Sequence, residues 1–99
     1  MLLTVSLEAS LDVLETATWY EKQAPYLGNR FLDDVQRTCD NISTHPESFG
    51  FYSKQSGVWK GRLYHFPFNI YYVVEKTEIR IIAVIHSSRS SRFVKRRMR

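Results

Sequence analysis

Cysteine is almost missing from this chain of 99 residues. Cys39 stands alone, so no intramolecular disulfide can form, and His45, His65 and His86 are too scattered to complete a zinc-ligand spacing with it. No metal and no cofactor are expected. Long apolar runs are missing as well: Met1-Leu2-Leu3 gives way to Thr4, Ser6 and Glu8, too short for a secretory leader, and no stretch approaches the ~20 residues of a membrane span. These absences predict a soluble, cytoplasmic protein that uses no membrane. Proline and glycine are sparse and no linker interrupts the chain, which reads as one domain over residues 1–99. Acids are scarce in the second half. Residues 51–99 hold only Glu75 and Glu78 against eleven lysines and arginines, whereas residues 1–50 hold eight acids against three bases. A half so basic suits an anionic partner, either nucleic acid or an acidic protein segment.

What is abundant lies between Val58 and His86, where β-branched and aromatic residues fall into three runs broken by Pro67 and by Glu75-Lys76-Thr77-Glu78. That pattern predicts an antiparallel meander. Alternation puts Trp59, Leu63, Phe68, Ile70, Tyr72, Val74, Ile79, Ile81, Ala83 and Ile85 on one face, which requires cover. The other face is expected to carry Lys60, Arg62, Tyr64, Asn69, Tyr71, Arg80 and His86, with Ile82 and Val84 as apolar exceptions that call for a partner or a C-terminal segment.

The first half reads as helix. Leu2 to Val5 predict a short strand, and Ser6 caps a helix over 7–23 with Glu8 and Asp12 near its positive end. Leu7, Leu11, Leu14 and Thr18 form one stripe and Ala9, Val13, Ala17 and Tyr20 the next, a wide apolar face suited to lie on a sheet. Pro25 ends that helix, Gly28 is expected at a positive φ and Asn29 as a cap. Phe31, Val35, Cys39 and Ile42 then mark a second helix that stops at His45-Pro46, giving an antiparallel hairpin. Cys39 reads as a small buried hydrophobe. Pro46 to Gly57 reads as a loop pinned by Phe49, Phe51 and Tyr52, with Lys54 at its tip. The tail 87–99 holds six bases and no acid, and Phe93 and Val94 predict that it docks in part.

Taken in order, Ala9 with Asp12, Trp19-Tyr20-Glu21, Leu27-Gly28 with Arg30-Phe31, Pro46, Phe66-Pro67-Phe68 with Ile70-Tyr71-Tyr72, and Ala83-Val84-Ile85-His86 with Arg89 resemble the landmarks of the RelE/ParE toxin superfamily. The resemblance spans nearly the whole chain. It implies an α+β domain, β-α-α-β-β-β, in which a short N-terminal strand and a two-helix hairpin pack on a mainly antiparallel four-stranded sheet. It also implies the toxin of a type II toxin–antitoxin system, a plasmid-stabilisation module, silenced by a cognate antitoxin whose segments fold on binding. Two departures stand out: Trp59 occupies a position where many relatives carry arginine, and Ser90-Ser91 replace an acid-proline pair.

Three activities follow from the resemblance. In the ParE-like reading, preferred here, the chain inhibits growth by poisoning DNA gyrase and needs no catalytic group. Lys54, Lys60, Tyr64, Tyr71, Arg89, Arg92, Phe93 and Arg96 are then the candidates for contacting target or antitoxin. In the RelE-like reading it is an mRNA interferase, an endoribonuclease working on the ribosome. Arg62 and Arg80 would stabilise the crowded phosphate and His86 would act as base or acid. In the third it is an inactive relic that still binds antitoxin.

Overall fold

The computed structural model describes residues 1–89 and 92–98; Ser90, Ser91 and Arg99 of the expected tail lie outside them. Strand β1 (Leu2–Val5) leads into helices α1 (Leu7–Gln23) and α2 (Leu27–Thr44). A single 3₁₀ turn and strands β2 (Gly50–Ser53), β3 (Val58–Arg62), β4 (Phe68–Val74) and β5 (Glu78–His86) follow, and a short helix α3 (Arg92–Arg97) comes last. The α+β class and the order of elements are those the sequence predicts. The sheet, however, has five strands in the order β1-β5-β4-β3-β2: part of the expected loop 46–57 pairs with β3, Phe51 opposite Trp59. Only β1 is parallel, lying along the first half of β5.

The helical hairpin is closed by Glu21 of Trp19-Tyr20-Glu21 and Gly28 of Leu27-Gly28. The Glu21 carboxylate accepts from the backbone N–H groups of Tyr26 and Gly28, so a side chain of α1 caps α2. Asn29 is therefore not the cap. Nor does Gly28 supply the positive φ, which falls on Tyr26 at 68°. Gly28 is needed for close approach, since a Cβ there would meet the Ala17 carbonyl oxygen at 2.6 Å.

Both faces of the sheet are covered. On the helix side Ala9, Ala17, Phe31 and Ile42 pack on Leu63, Phe68, Ile70, Tyr72, Ile79, Ile81 and Val84. On the other side Val94 of α3, with Phe93 and Met98, packs on Val58, Tyr71, Val73, Ile82, Ala83 and Ile85. The expected division of β5 is correct as far as Ile82 and fails from Ala83 onward. Tyr71 pairs with Ala83 but Tyr72 pairs with Ile81, so Ile82 is an extra residue, and this bulge inverts which side chains face the helices. Val84 therefore joins the helix side, and Ala83 and Ile85 lie under the tail. The stripe Leu7, Leu11 and Leu14 also departs from expectation. It is exposed, while Ala9, Val13, Ala17 and Tyr20 do the packing.

Past Val5 the chain leaves the sheet, and the outer edge of β5 from Ile82 onward has no strand beside it. Side chains take over. Asp12 of α1 accepts from Val84 N–H at 2.9 Å, and Arg97 of α3 donates to the Ile82 carbonyl at 3.2 Å. The two meet as a bidentate pair, with Arg97 Nη2 at 3.0 Å from Asp12 Oδ1. One ion pair thus completes the edge and ties the tail to the first helix.

Candidate functional site

The sheet face turned away from the hairpin carries three cations of the second half. Lys60 and Arg62 stand on β3, and Arg80 stands on β5 opposite Val73. Arg80 is half-exposed and lies 3.6 Å from Glu75, an exposed pairing worth at most about 1 kcal/mol. Arg62 is opposite Asn69, four residues along β4 from Val73, so strand spacings place the backbones of the two arginines ~16 Å apart.

His86 is on the opposite face. The bulge turns it toward α1, where its ring meets Phe68 edge-on at 5.2 Å and lines a cavity with Glu15 and Trp19. Its Nδ1 accepts from Ser88 N–H at 3.0 Å and lies 2.8 Å from Ser88 Oγ. The expected set Arg62, Arg80 and His86 is therefore divided between two sides of the sheet.

The aromatic candidates are also placed differently. Tyr71 is buried, with its ring edge against Tyr52 at 5.2 Å, and burial raises its phenol pKa above the ordinary value. It offers no face for stacking. Tyr64 lies beyond β3 in the loop before β4, on the hairpin side; its hydroxyl accepts from Asn41 Nδ2 at 3.0 Å and the Arg37 guanidinium sits 5.8 Å from its ring. That loop is gripped by Asp34, whose carboxylate accepts from the N–H groups of Tyr64, His65 and Phe66 at 2.8 to 3.2 Å. Trp59 belongs to an aromatic wall on the helix side, stacked on Phe51 at 4.0 Å and on Tyr72 at 6.3 Å, so it does not stand among the outward cations.

At the tail, Arg89 lies over the Phe93 ring at 4.0 Å, and Arg92 and Arg96 are exposed, as is Lys54 in the turn between β2 and β3. Cys39 is half-buried with its thiol pKa pushed up to about 11 by desolvation and then by Asp40, so the thiolate a nucleophile needs is disfavoured. Among the described residues no group of three His, Cys, Asp or Glu side chains is placed to hold a metal ion, and no helix is long and apolar enough to cross a membrane.

The sequence reading missed two acids. Asp12 reads from sequence as a helix-dipole partner and a family landmark, and nothing local announces its pairing with Arg97. Asp34 did leave a signal, because it falls with Phe31, Thr38 and Ile42 on the buried stripe of α2. An acid on an apolar stripe demands donors.

Comparison with known proteins bears on the same architecture. The family model described as the ParE toxin of the type II toxin–antitoxin system parDE matches residues 3–91. Comparison with curated proteins gives no match. Among solved structures the chain is similar to the chromosomal ParDE toxin–antitoxin system from P. aeruginosa, at 21% identity and a TM-score of 0.65, covering 87% of this chain and 95% of that one. The family match extends from the parallel strand β1 through β5 to the residues that precede α3, the whole framework that carries the basic face and the cleft beside His86, and so the chain belongs to the ParE toxin family.

Proposed function

We propose that this chain is a growth-arresting toxin that acts by binding DNA gyrase and is held silent by a cognate antitoxin. The observation that carries the reading is the separation of Arg62, Arg80 and His86. Cleavage of RNA beside a 2′-hydroxyl needs a proton acceptor and cationic donors within hydrogen-bond reach of the same phosphate. Here the histidine is on one side of the sheet and the arginines on the other, and Tyr71, a stacking candidate, is buried. A binding surface has no such requirement. Lys54, Lys60, Arg62, Arg89, Arg92, Phe93 and Arg96 serve it without a shared reacting atom.

An antitoxin partner is supported by the ParDE setting of the similar structure and by the charge of this half of the chain. It is supported also by the exposed strip Leu7, Leu11 and Leu14, which leaves an uncovered apolar flank on α1. The cytoplasm, where gyrase and antitoxin reside, is the corresponding location.

The test combines two readouts on the same toxin. Purified chain added to gyrase is expected to block supercoiling and to trap cleaved DNA, and antitoxin added first is expected to prevent both. In cells, growth arrest is expected without new RNA 5′ ends at fixed codon positions. Appearance of such ends, with gyrase unaffected, establishes the ribonuclease instead, and absence of any arrest establishes an inactive relic.

A further inference from the structure

The C-terminal half of α1 and the end of β5 enclose a cleft of which the gyrase reading uses only Arg89, at one end. A cavity of about 340 Å³ lies between Glu15, Trp19, Phe68 and His86. A neighbouring one of about 230 Å³ shares Glu15, Phe68 and His86 and extends to Arg89. Three properties of the lining specify a ligand.

The first is an unengaged carboxylate. Glu15 is exposed, and no ion pair or hydrogen bond occupies its side chain among the described residues. The second is a fixed donor. Because Nδ1 of His86 accepts the Ser88 backbone N–H, the neutral ring carries its proton on Nε2, the opposite edge of the imidazole. The third is aromatic surface: Trp19 is 57% exposed although its neighbour Tyr20 is braced by four rings, and Phe68 forms the floor.

We propose that this cleft binds a guanine base. Guanine alone among the common bases presents two adjacent donors, N1–H and N2–H, that match both oxygens of one carboxylate, with acceptors O6 and N7 on the adjoining edge. Glu15 takes the donors, His86 Nε2–H faces an acceptor, and the Trp19 indole covers the ring face, while Arg89, stacked on Phe93 at the end of the neighbouring cavity, supplies positive charge for the attached phosphate. A volume of this order accommodates a nucleobase. An arginine side chain from a protein partner meets the same carboxylate and indole. It is disfavoured because Arg89 at the end of the neighbouring cavity repels it and Asp12 there is already paired with Arg97, whereas the Arg89 guanidinium and the basic tail beyond attract a phosphate.

Guanine reaches the cleft either as a free nucleotide or within an unpaired strand, and titrations followed on the Trp19 indole N–H signal by NMR separate the two. GMP is expected to give a saturable shift at millimolar concentration, with AMP at least tenfold weaker and Glu15→Gln lowering GMP affinity at least tenfold. Glu15 is exposed, so that variant keeps its fold; the GMP-to-AMP contrast in the unaltered protein decides the matter independently. Tighter binding of the single strand T-G-T than of GMP assigns a nucleic-acid source, and the reverse assigns the free nucleotide. Equal responses to GMP and AMP, no saturation with GMP, or a shift produced only by arginine amide overturns the proposal.

Discussion

The two faces of the sheet are closed by different means. The hairpin side is sealed by two helices of 17 and 18 residues that bury Phe31, Ile42, Ile70 and Tyr72 completely, through contacts spread over many side chains. The other side is sealed by a six-residue helix whose one fully buried residue is Val94 and whose specified polar tether is Arg97 to Asp12. A six-residue helix is far too short to hold itself together in water. Its order therefore depends on the surface beneath it and on the ion pair. One face is a distributed core, the other a cover fastened near its end.

The largest effect is expected where the core is densest. Phe31→Ala removes a side chain with no exposure that meets Tyr20, Phe66 and Phe68 at ring distances of 5.2 to 5.5 Å, and should cost about 4 kcal/mol in urea titration. Val94→Ala beneath the tail should cost only ~2 kcal/mol, in proportion to the two methyl groups removed and the small void left. Equal costs would break the comparison, since they would make the cover as integral as the core.

Next comes the tether. Asp12→Ala leaves Val84 N–H without its acceptor and Arg97 without its counter-ion, in a pair whose side chains are each 15% exposed; a loss of about 3 kcal/mol is expected. The hydrogen bond to Asp12 also holds the Arg97 pKa above its ordinary value, so the guanidinium stays charged throughout. Asp12→Asn keeps an acceptor for Val84 and should lose about half as much. Hydrogen exchange sharpens the point: in the Ala variant the Val84 amide and the α3 amides should exchange faster, while those of Ile79 and Ile81, paired with β1, should not. Uniform acceleration across β5 contradicts a local tether.

Alkaline pH probes the core side by a smaller amount. The folded protein raises the Cys39 thiol from 9.0 to about 11, chiefly by burial, and raises the Tyr20 and Tyr72 phenols as well. A raised acid favours its neutral form in the fold, so this stability is fully present below the unfolded value and is lost as pH climbs past it. Urea midpoints should hold up to about pH 9 and fall between 9 and 11. Cys39→Ala should remove the first part of that fall and leave the part above pH 10 that belongs to tyrosine. A midpoint that declines identically in both proteins assigns the whole effect to the phenols.

The difference between the faces also governs what the sequence could reveal. Helix spans, the meander and the docking of Phe93 and Val94 were legible because they rest on periodic apolar residues over several turns or strands. Residues 83–86 of β5 were not, because one extra residue at Ile82 changes the parity of everything after it, and an unbroken apolar run from Ile81 to Ile85 carries no mark of a bulge. His86 was assigned to the wrong face for that reason alone. The pairing of Asp12 with Arg97 joins residues 85 positions apart and has no local signature either. Asp34 and Gly28 were legible in principle: each breaks the residue type of its stripe, and each proves to mark a backbone contact.

The smallest expected effect on stability separates structure from function on the tail-covered side. Lys60 and Arg62 are exposed on β3, their cations engage no carboxylate among the described residues, and neither packs under α3. Replacing both with Ala should move the urea midpoint by no more than the ~0.5 kcal/mol usual for surface positions. If this face is the working surface, the same double variant should lose most of its growth arrest and its hold on gyrase while still folding. A folded double variant with undiminished arrest removes the face from the target interface. In that event the exposed flank of α1 and the cleft beside His86, both on the well-sealed side, become the places to look, and the firmly packed half of the molecule rather than its fastened cover is the half that meets the target.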